Sequence, residues 1–402
     1  MATGGGGGSF ADLLRRFSFN GAATIETEEA GLRYFVNEFW TAGQRQGHSI
    51  HEISYRACFK AQLPEFLIDR LTRPGDCVLD PFAGRGTTPV QAALMGRRPV
   101  ANDVNPLSAM LIRPRLAPPT LAAIGERLAA LDLSGAPVGE DDPLLAFYHP
   151  DTLRAIHALR SYLLDRDAAG TLDAVDDWIR MVAINRLTGH SPGFFSVYTL
   201  PPNQATSVER QRKINANRNQ TPPPRDVRAL ILRKSRSLLA DGVPPPAPPA
   251  LLLTGPADRL SAIPDASVDL LVTSPPFLDI VDYEGDNWLR CWFAGIDPKT
   301  VRIDIHRGIP AWEGFVRSCF TEFARVLRPG GAVGFEVGEV RGGSVLLERN
   351  VAAAIAGLPF AIEGVMVNQQ AFTKTANIWR VGNNARGTNS NRIVLARRTE
   401  PG

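Results

Sequence analysis

Cys77-Val78-Leu79-Asp80-Pro81-Phe82-Ala83-Gly84-Arg85-Gly86-Thr87-Thr88 decides how this chain folds. Three apolar residues run into an aspartate, two glycines follow one residue apart, and Pro89 to Leu94 reads as a helix with proline near its first turn. Pro99-Val100-Ala101-Asn102-Asp103 is the next short strand. A strand, a glycine loop, a helix and a second strand make the opening of a parallel sheet. Gly84 and Gly86 let the backbone turn sharply and come close to a ligand. Asp103, ending the second strand, is placed to accept hydrogen bonds from ribose hydroxyls, by the geometry that acidic residues use in dinucleotide folds. A phosphate-binding NTPase loop would need lysine after its last glycine, and Gly86 is followed by Thr87-Thr88. A dinucleotide fold would want a third glycine at position 89, which is proline. A plain structural turn is the remaining alternative. The aspartate before the glycines, the threonines after them and Asp103 weigh for a ligand loop.

Outward from this unit, residues 24–46 and 61–72 carry apolar side chains at helical spacing, and Pro74-Gly75 breaks the chain before the first strand. Residues 1–45 read as a glycine-rich flexible tail followed by N-terminal helices. Residues 113–250 are rich in proline and helical stretches, and end in an extended spacer, Val243-Pro244-Pro245-Pro246-Ala247-Pro248-Pro249-Ala250. Strand-like segments resume at 251–253, 268–273 and 332–337, then between Leu358 and Val367 and at Ile393-Val394-Leu395. The expected architecture is one α/β sheet split into residues 46–112 and 251–402 by a largely helical insertion, 113–250.

The second informative stretch is Val272-Thr273-Ser274-Pro275-Pro276-Phe277, again at a strand end. An exocyclic amine is a poor nucleophile because its lone pair is delocalised into the ring. Two hydrogen-bond acceptors on its protons localise that pair, and Ser274 Oγ with the Pro275 carbonyl can supply them on a loop stiffened by Pro275 and Pro276. Phe277 offers a face for a base to stack on. The amine becomes acidic once methylated, so no strong general base and no covalent nucleophile is required by this chemistry.

Together the two stretches resemble the cofactor and catalytic motifs of the amino-methylating DNA methyltransferases, the N4-cytosine and N6-adenine family. The resemblance implies a Rossmann-like class I methyltransferase fold with a mostly parallel seven-stranded sheet, and S-adenosylmethionine as cofactor. It implies that Asp80, Phe82, Gly84, Gly86 and Thr87 surround the cofactor, that Asp103 holds its ribose, and that Asp258 contacts the adenine. His51 to Pro64 resembles the segment that closes over the methionine end. Val-Thr-Ser-Pro-Pro-Phe fits the N4-cytosine signature, with Ser274, Pro275, Pro276 and Phe277 as the catalytic loop. N6-adenine methylation, RNA methylation and a non-catalytic nucleic-acid-binding subunit of the same fold stay open. Asp282-Tyr283 resembles the start of the helix after the loop, and Asn389-Ser390-Asn391-Arg392 either reaches the base or caps its own loop.

Composition bounds the remaining readings. The chain has 402 residues, 44% of them hydrophobic, and a net charge of +3. It holds no apolar run long enough for a membrane span. Its N-terminus is expected to be no secretory signal. Cys58, Cys77, Cys291 and Cys319 are scattered without a CxxC pair, so reduced thiols, no metal site and a cytoplasmic protein are expected. Charge is concentrated in the insertion, where nine Lys and Arg fall between Ser207 and Arg236 among asparagines and glutamines. Arg210, Arg212, Lys213, Arg218 and Arg225 are the candidate phosphate contacts, and the amides candidate base-edge readers. The partners this implies are double-stranded DNA and a cognate restriction endonuclease.

Overall fold

The computed structural model describes residues 9–40, 47–55, 58–200, 205–246, 249–276, 283–301, 306, 308–340, 345–369 and 390–400. Nine strands form the main sheet: β1 (Ile25–Glu29), β2 (Leu32–Asn37), β3 (Cys77–Asp80), β4 (Arg98–Asp103), β5 (Leu251–Thr254), β6 (Val268–Thr273), β7 (Leu327–Val337), β8 (Phe360–Gln369) and β9 (Ser390–Arg398). Across the sheet they lie in the order β1-β2-β8-β9-β7-β6-β3-β4-β5. From β5 to β7 every pairing is parallel. β9 inserts antiparallel between β7 and β8. The expected mostly parallel seven-stranded sheet is present as β5 through β8, and two strands extend it.

Those two strands correct the reading of 24–46 as helical. Asn20 and Gly21 both have positive φ, as do Ala30 and Gly31. Two consecutive residues of that kind make the tight turn that matches strand twist. One such turn joins Ser18–Phe19 to Ala22–Ala23, and the other joins β1 to β2. β2 then pairs in parallel with β8. The apolar spacing that suggested a helix belongs to β2, whose Tyr34 and Phe35 are buried on the sheet.

Helices cover both faces: α1 (Phe10–Arg16), α2 (Gln62–Leu71), α3 (Thr87–Leu94) and α4 (Leu107–Leu116), then α5 (Leu121–Ala130), α6 (Pro150–Ala168), α7 (Ala174–Arg186), α8 (Val208–Arg218) and α9 (Val227–Leu238), and finally α10 (Tyr283–Ala294), α11 (Ile309–Val326) and α12 (Leu347–Ile355). The pleat sorts the core. Val78, Leu270 and Val272 pack with α1 and α2, while Leu79 and Leu271 pack with α11 and α12. The helices α5, α6, α7 and α9 share a third core with Ile53, with Leu107 and Leu111 of α4, and with Leu289 and Phe293 of α10. The insertion is thus built into the sheet domain through the helices that flank the two ligand loops.

β3 is followed in sequence by β4 on one side and bordered by β6 on the other, so strand order reverses at β3. In open α/β sheets ligands bind outside the carboxyl ends of the strands at such a reversal. Both ligand loops leave the sheet there.

Candidate functional site

A cleft enclosing about 730 Å3, open to solvent, lies at that reversal. Asp80, Phe82, Gly84 and Thr87 line it from the first loop, Asp103 and Asn105 from the end of β4, Gly255 and Ala257 from the loop after β5, and Ser274 and Pro276 from the loop after β6. Tyr55, Cys58 and Phe59 close it from the segment upstream of α2.

Backbone geometry assigns different work to the two glycines. Gly84 lies in the cleft with φ +50°, and a Cβ there would come 3.7 Å from Tyr55 and 3.8 Å from the Cys58 sulfur. Gly86, with φ +81°, turns away, and its Cβ would fall 2.2 Å from Ile112. Its place is the tight approach of the α3 N-terminus to α4, so Gly86, expected to touch the cofactor, does not line the cleft. Asp258 does not line it either. It is exposed, and Gly255 and Ala257 of the same loop face inward instead.

Hydrogen bonds fix the acidic groups before any ligand arrives. Asp103 Oδ2 accepts from the Gly84 N–H at 2.7 Å and Oδ1 from the Asn105 N–H at 2.8 Å. Burial still raises its pKa, against those two bonds. Asp80 Oδ1 accepts from Thr273 Oγ1 at 2.5 Å and from the Phe82 N–H at 3.1 Å. Burial pushes Asp80 up to about 7 despite these donors. The Thr88 hydroxyl donates to the Val272 carbonyl at 3.1 Å, so two bonds tie the first loop to the strand that carries the second. Asn102 Nδ2 donates to the Gly255 carbonyl at 2.9 Å and draws the third loop in.

The upstream segment is strapped down by arginines. Arg85 donates to the carbonyls of Ile53 at 2.8 Å and Phe59 at 3.2 Å. Arg115, fully buried, donates to the Arg85 carbonyl. Burial, then the Arg85 charge, brings Arg115 down to about 9. Arg290 of α10 and Asn185 of α7 both donate to the Ser54 carbonyl. One short segment therefore touches the loop after β3, the insertion and α10.

In the loop after β6 the Pro276 carbonyl is taken by the Trp312 indole N–H at 3.0 Å. Glu336 of β7, a buried carboxylate, accepts from Asn391 of β9, and burial pushes it up to about 7. Sequence reading missed Glu336, although a lone carboxylate inside Gly334-Phe335-Glu336-Val337 was the signal. Asn391 is thereby placed on Glu336. Pro275 is buried behind the cleft. Phe277, Asp282 and Asn389 lie outside the described residues.

The insertion divides its cations. Arg210, Arg212, Lys213 and Arg218 are exposed on α8, and Arg218 stacks on Tyr198 with 3.9 Å from guanidinium carbon to ring centre. Arg225 is only partly exposed, and Arg228 donates to the Leu128 and Leu131 carbonyls. The amides expected to read bases are partly structural. Gln211 and Gln220 both donate to Asn215 Oδ1 at 2.8 Å and to the Tyr198 carbonyl, and Asn215 donates to Ala146. The Ala205 N–H donates to Asp286 and the Trp288 indole to the Thr206 carbonyl, so the start of α8 is held on α10.

Among the described residues none of the four cysteines forms a disulfide. Among the described residues no cluster of three His, Cys, Asp or Glu could hold a metal, and no helix is long and apolar enough to cross a membrane.

A sheet of this order, with β9 reversed and a cleft at the switch point, defines a class I methyltransferase fold. Residues 23–124 match the model of the DNA methylase family. Type II methyltransferase M.MjaII of Methanocaldococcus jannaschii is 36% identical over 69 residues, 17% of this chain and 13% of that one. Type II methyltransferase M2.DpnII of Streptococcus pneumoniae is 42% identical over 59 residues, 14% of this chain and 22% of that one. Through this segment the chain is similar to amino-methylating DNA methyltransferases, and it spans less than a quarter of the length of these curated relatives. Among solved structures, a geranyl diphosphate methyltransferase in complex with GPP and sinefungin aligns at 9% identity and TM-score 0.34, covering 85% of this chain and 78% of that one.

Proposed function

We propose that this protein transfers a methyl group from S-adenosylmethionine to the N4 amine of cytosine in duplex DNA. One observation carries the reading: loops nearly two hundred residues apart in sequence, at Asp80–Thr87 and Ser274–Pro276, line one cleft. The cleft suits the cofactor. Asp103 keeps acceptor capacity for ribose hydroxyls beyond the two backbone bonds it already accepts. The missing side chain at Gly84 leaves room beside Tyr55 and Cys58. Phe82 and Ala257 offer apolar walls.

When bound, the cofactor supplies an electrophilic methyl on a sulfonium. The chain's own residues position the amine. Ser274 Oγ and the Pro275 carbonyl accept its two protons, and Trp312 fixes the loop by holding the Pro276 carbonyl. The loop is therefore set before substrate arrives, which is where catalysis by preorganised dipoles gains most. The base must leave the stack to reach this depth. Exposed cations of α8, held to α10 beside the loop, would meet the flanking phosphates.

The test is incubation with tritium-labelled S-adenosylmethionine and mixed-sequence duplex DNA, followed by digestion to nucleosides. Labelled N4-methylcytosine is expected. N6-methyladenine would keep the fold and change the base. Label in structured RNA but not DNA would overturn the duplex substrate, and cofactor binding without transfer would leave a nucleic-acid-binding subunit.

A further inference from the structure

Most arginines packed into the insertion have carboxylate partners. At the start of α7, Asp173 and Asp176 take Arg127 and Arg166, and Arg180 is paired with Asp167 and Asp177. At the other end of α7, Arg186 has no acidic partner among the described residues. Its guanidinium lies over the Phe194 ring, 4.1 Å from carbon to ring centre, and its Nε and Nη2 donate only to the two oxygens of Asn185.

Two more cations converge on it from α9. A Cβ on Gly193 would lie 3.5 Å from Arg233 Nη2 and 4.0 Å from Arg186 Nη1, so both guanidiniums border one point that carries no side chain. Lys234 follows directly, with a side chain only 11% exposed. Burial and then the Arg186 charge bring Lys234 down to about 8, against the pull of Glu52. Burial and then the Arg233 charge bring Arg186 down to about 10. Glu52, 3.7 Å from Lys234, is 56% exposed and offsets little of this repulsion. The dipole of α7 favours one cation at its last turn, but Arg233 and Lys234 come from the middle of α9, where no dipole end helps them. Like charges gathered and partly desolvated in this way need an anion among them.

We infer that Arg186, Arg233 and Lys234 form a pocket around Gly193 for a backbone phosphate of the nucleic-acid substrate, separate from the cations of α8. The inference rests on the nucleic-acid part of the methyltransferase reading. Guanidiniums grip phosphate oxygens with paired donors, and the lysine adds a point charge. The pocket adjoins the cleft wall: Asn185 donates to the Ser54 carbonyl, and the next residue, Tyr55, lines the cleft. α8 is held to α10 instead. Anchors on two elements set the register of a strand, which one charged helix face does not.

Lysine acetylation read by mass spectrometry tests the pocket on the unaltered protein without cofactor. The chain has five lysines, so each is read separately. At pH 8 an activated acetate ester should label Lys234, because part of that amine is neutral there. Saturating mixed-sequence duplex DNA should slow this labelling by about tenfold and leave exposed Lys299 unchanged. Inorganic phosphate at matched ionic strength should protect less than about twofold, since it brings neither further contacts nor counterion release. Equal protection by inorganic phosphate would make this a free-anion site and overturn the nucleic-acid assignment, and no protection by either would overturn the pocket. Duplex affinity by fluorescence anisotropy decides independently. Lys234→Met should weaken binding a few-fold and reduce the slope of log affinity against log salt by about 1, and Arg233→Glu should weaken it by about tenfold or more. Arg236→Glu, exposed on the same helix, controls for charge alone and should cost clearly less. An equal loss in Arg236→Glu would assign the effect to the general field of α9 and overturn the pocket, as would wild-type affinity in Lys234→Met and Arg233→Glu. If the protein methylates nothing, the functional reading fails, while labelling and binding still decide the pocket.

Discussion

The cofactor cleft and the basic stretch of the insertion were both anticipated from sequence, and they fared differently. In the cleft, five of the seven expected cofactor residues converge, Asp80, Phe82, Gly84, Thr87 and Asp103. Between Ser207 and Arg236, four cations of α8 reach solvent, while Arg228 caps the end of α5 and the amides lock α8 in place. The contrast has a physical origin. A strand-end loop with glycines has few conformations, and its ligand-facing atoms follow from the backbone. A run of charges on helices has no such constraint, because the 3.6-residue period sends some of every run inward.

The largest effect expected from the cleft side is on chemistry. Ser274→Ala should lower single-turnover rate by about 100- to 1,000-fold, the usual range for removing one preorganised hydrogen-bond partner. Cofactor affinity measured by calorimetry should stay within about twofold. Equal losses in both would place Ser274 on the cofactor side of the cleft and weaken the division between its loops.

Gly84 and Gly86 sharpen the comparison within one loop. Gly86→Ala puts a Cβ on top of Ile112 and forces a left-handed backbone at once. Strain and overpacking together should cost about 2–5 kcal/mol in denaturant unfolding. Gly84→Ala pays only the backbone term, about 1–2 kcal/mol, and should instead weaken cofactor binding. The reverse ranking would remove the assignment of Gly86 to helix packing.

That pair shows how far the sequence was legible. The parallel strands, the glycine loop and the catalytic loop announced themselves through local patterns that the chain must obey. Gly86 looked like a ligand glycine because its neighbour Ile112 is 26 residues away and α4 had to be docked before the contact existed. Helical spacing over 24–46 misled because the chain turns back at Ala30-Gly31 and β2 takes its place by pairing with the distant β8. Trp312 reaches the Pro276 carbonyl only through helix docking, which no local pattern contains.

Asp80 ranks next, through pH. Its folded pKa of about 7 lies above its ordinary value of 3.8, so the folded state holds the proton more tightly than the unfolded one. Folding stability is then fully supported below about pH 4 and declines as pH rises toward 7. At about 1.4 kcal/mol per pH unit the full cost is about 4 to 5 kcal/mol. Asp80→Asn should flatten that decline in urea melts between pH 4 and 8. Glu336 contributes in the same direction, so a residual slope should remain. An Asp80→Asn protein with the wild-type slope would mean that Asp80 stays ionised, held by Thr273 and the Phe82 N–H.

The smallest effects separate the two kinds of cation in the insertion. Arg210→Ala and Lys213→Ala should each weaken duplex binding a few-fold at moderate salt and reduce the slope of log affinity against log salt by about 1. Stability should barely change, since both are exposed on α8. Arg228→Ala should do the opposite, lowering the unfolding midpoint by removing bonds to Leu128 and Leu131 while leaving the salt slope alone. Binding curves at several salt concentrations, with melts of the same samples, test both halves together. A salt slope unchanged by Arg210→Ala and Lys213→Ala would move the phosphate-binding face off α8. The insertion would then serve mainly to brace α4 and α10 around the cleft.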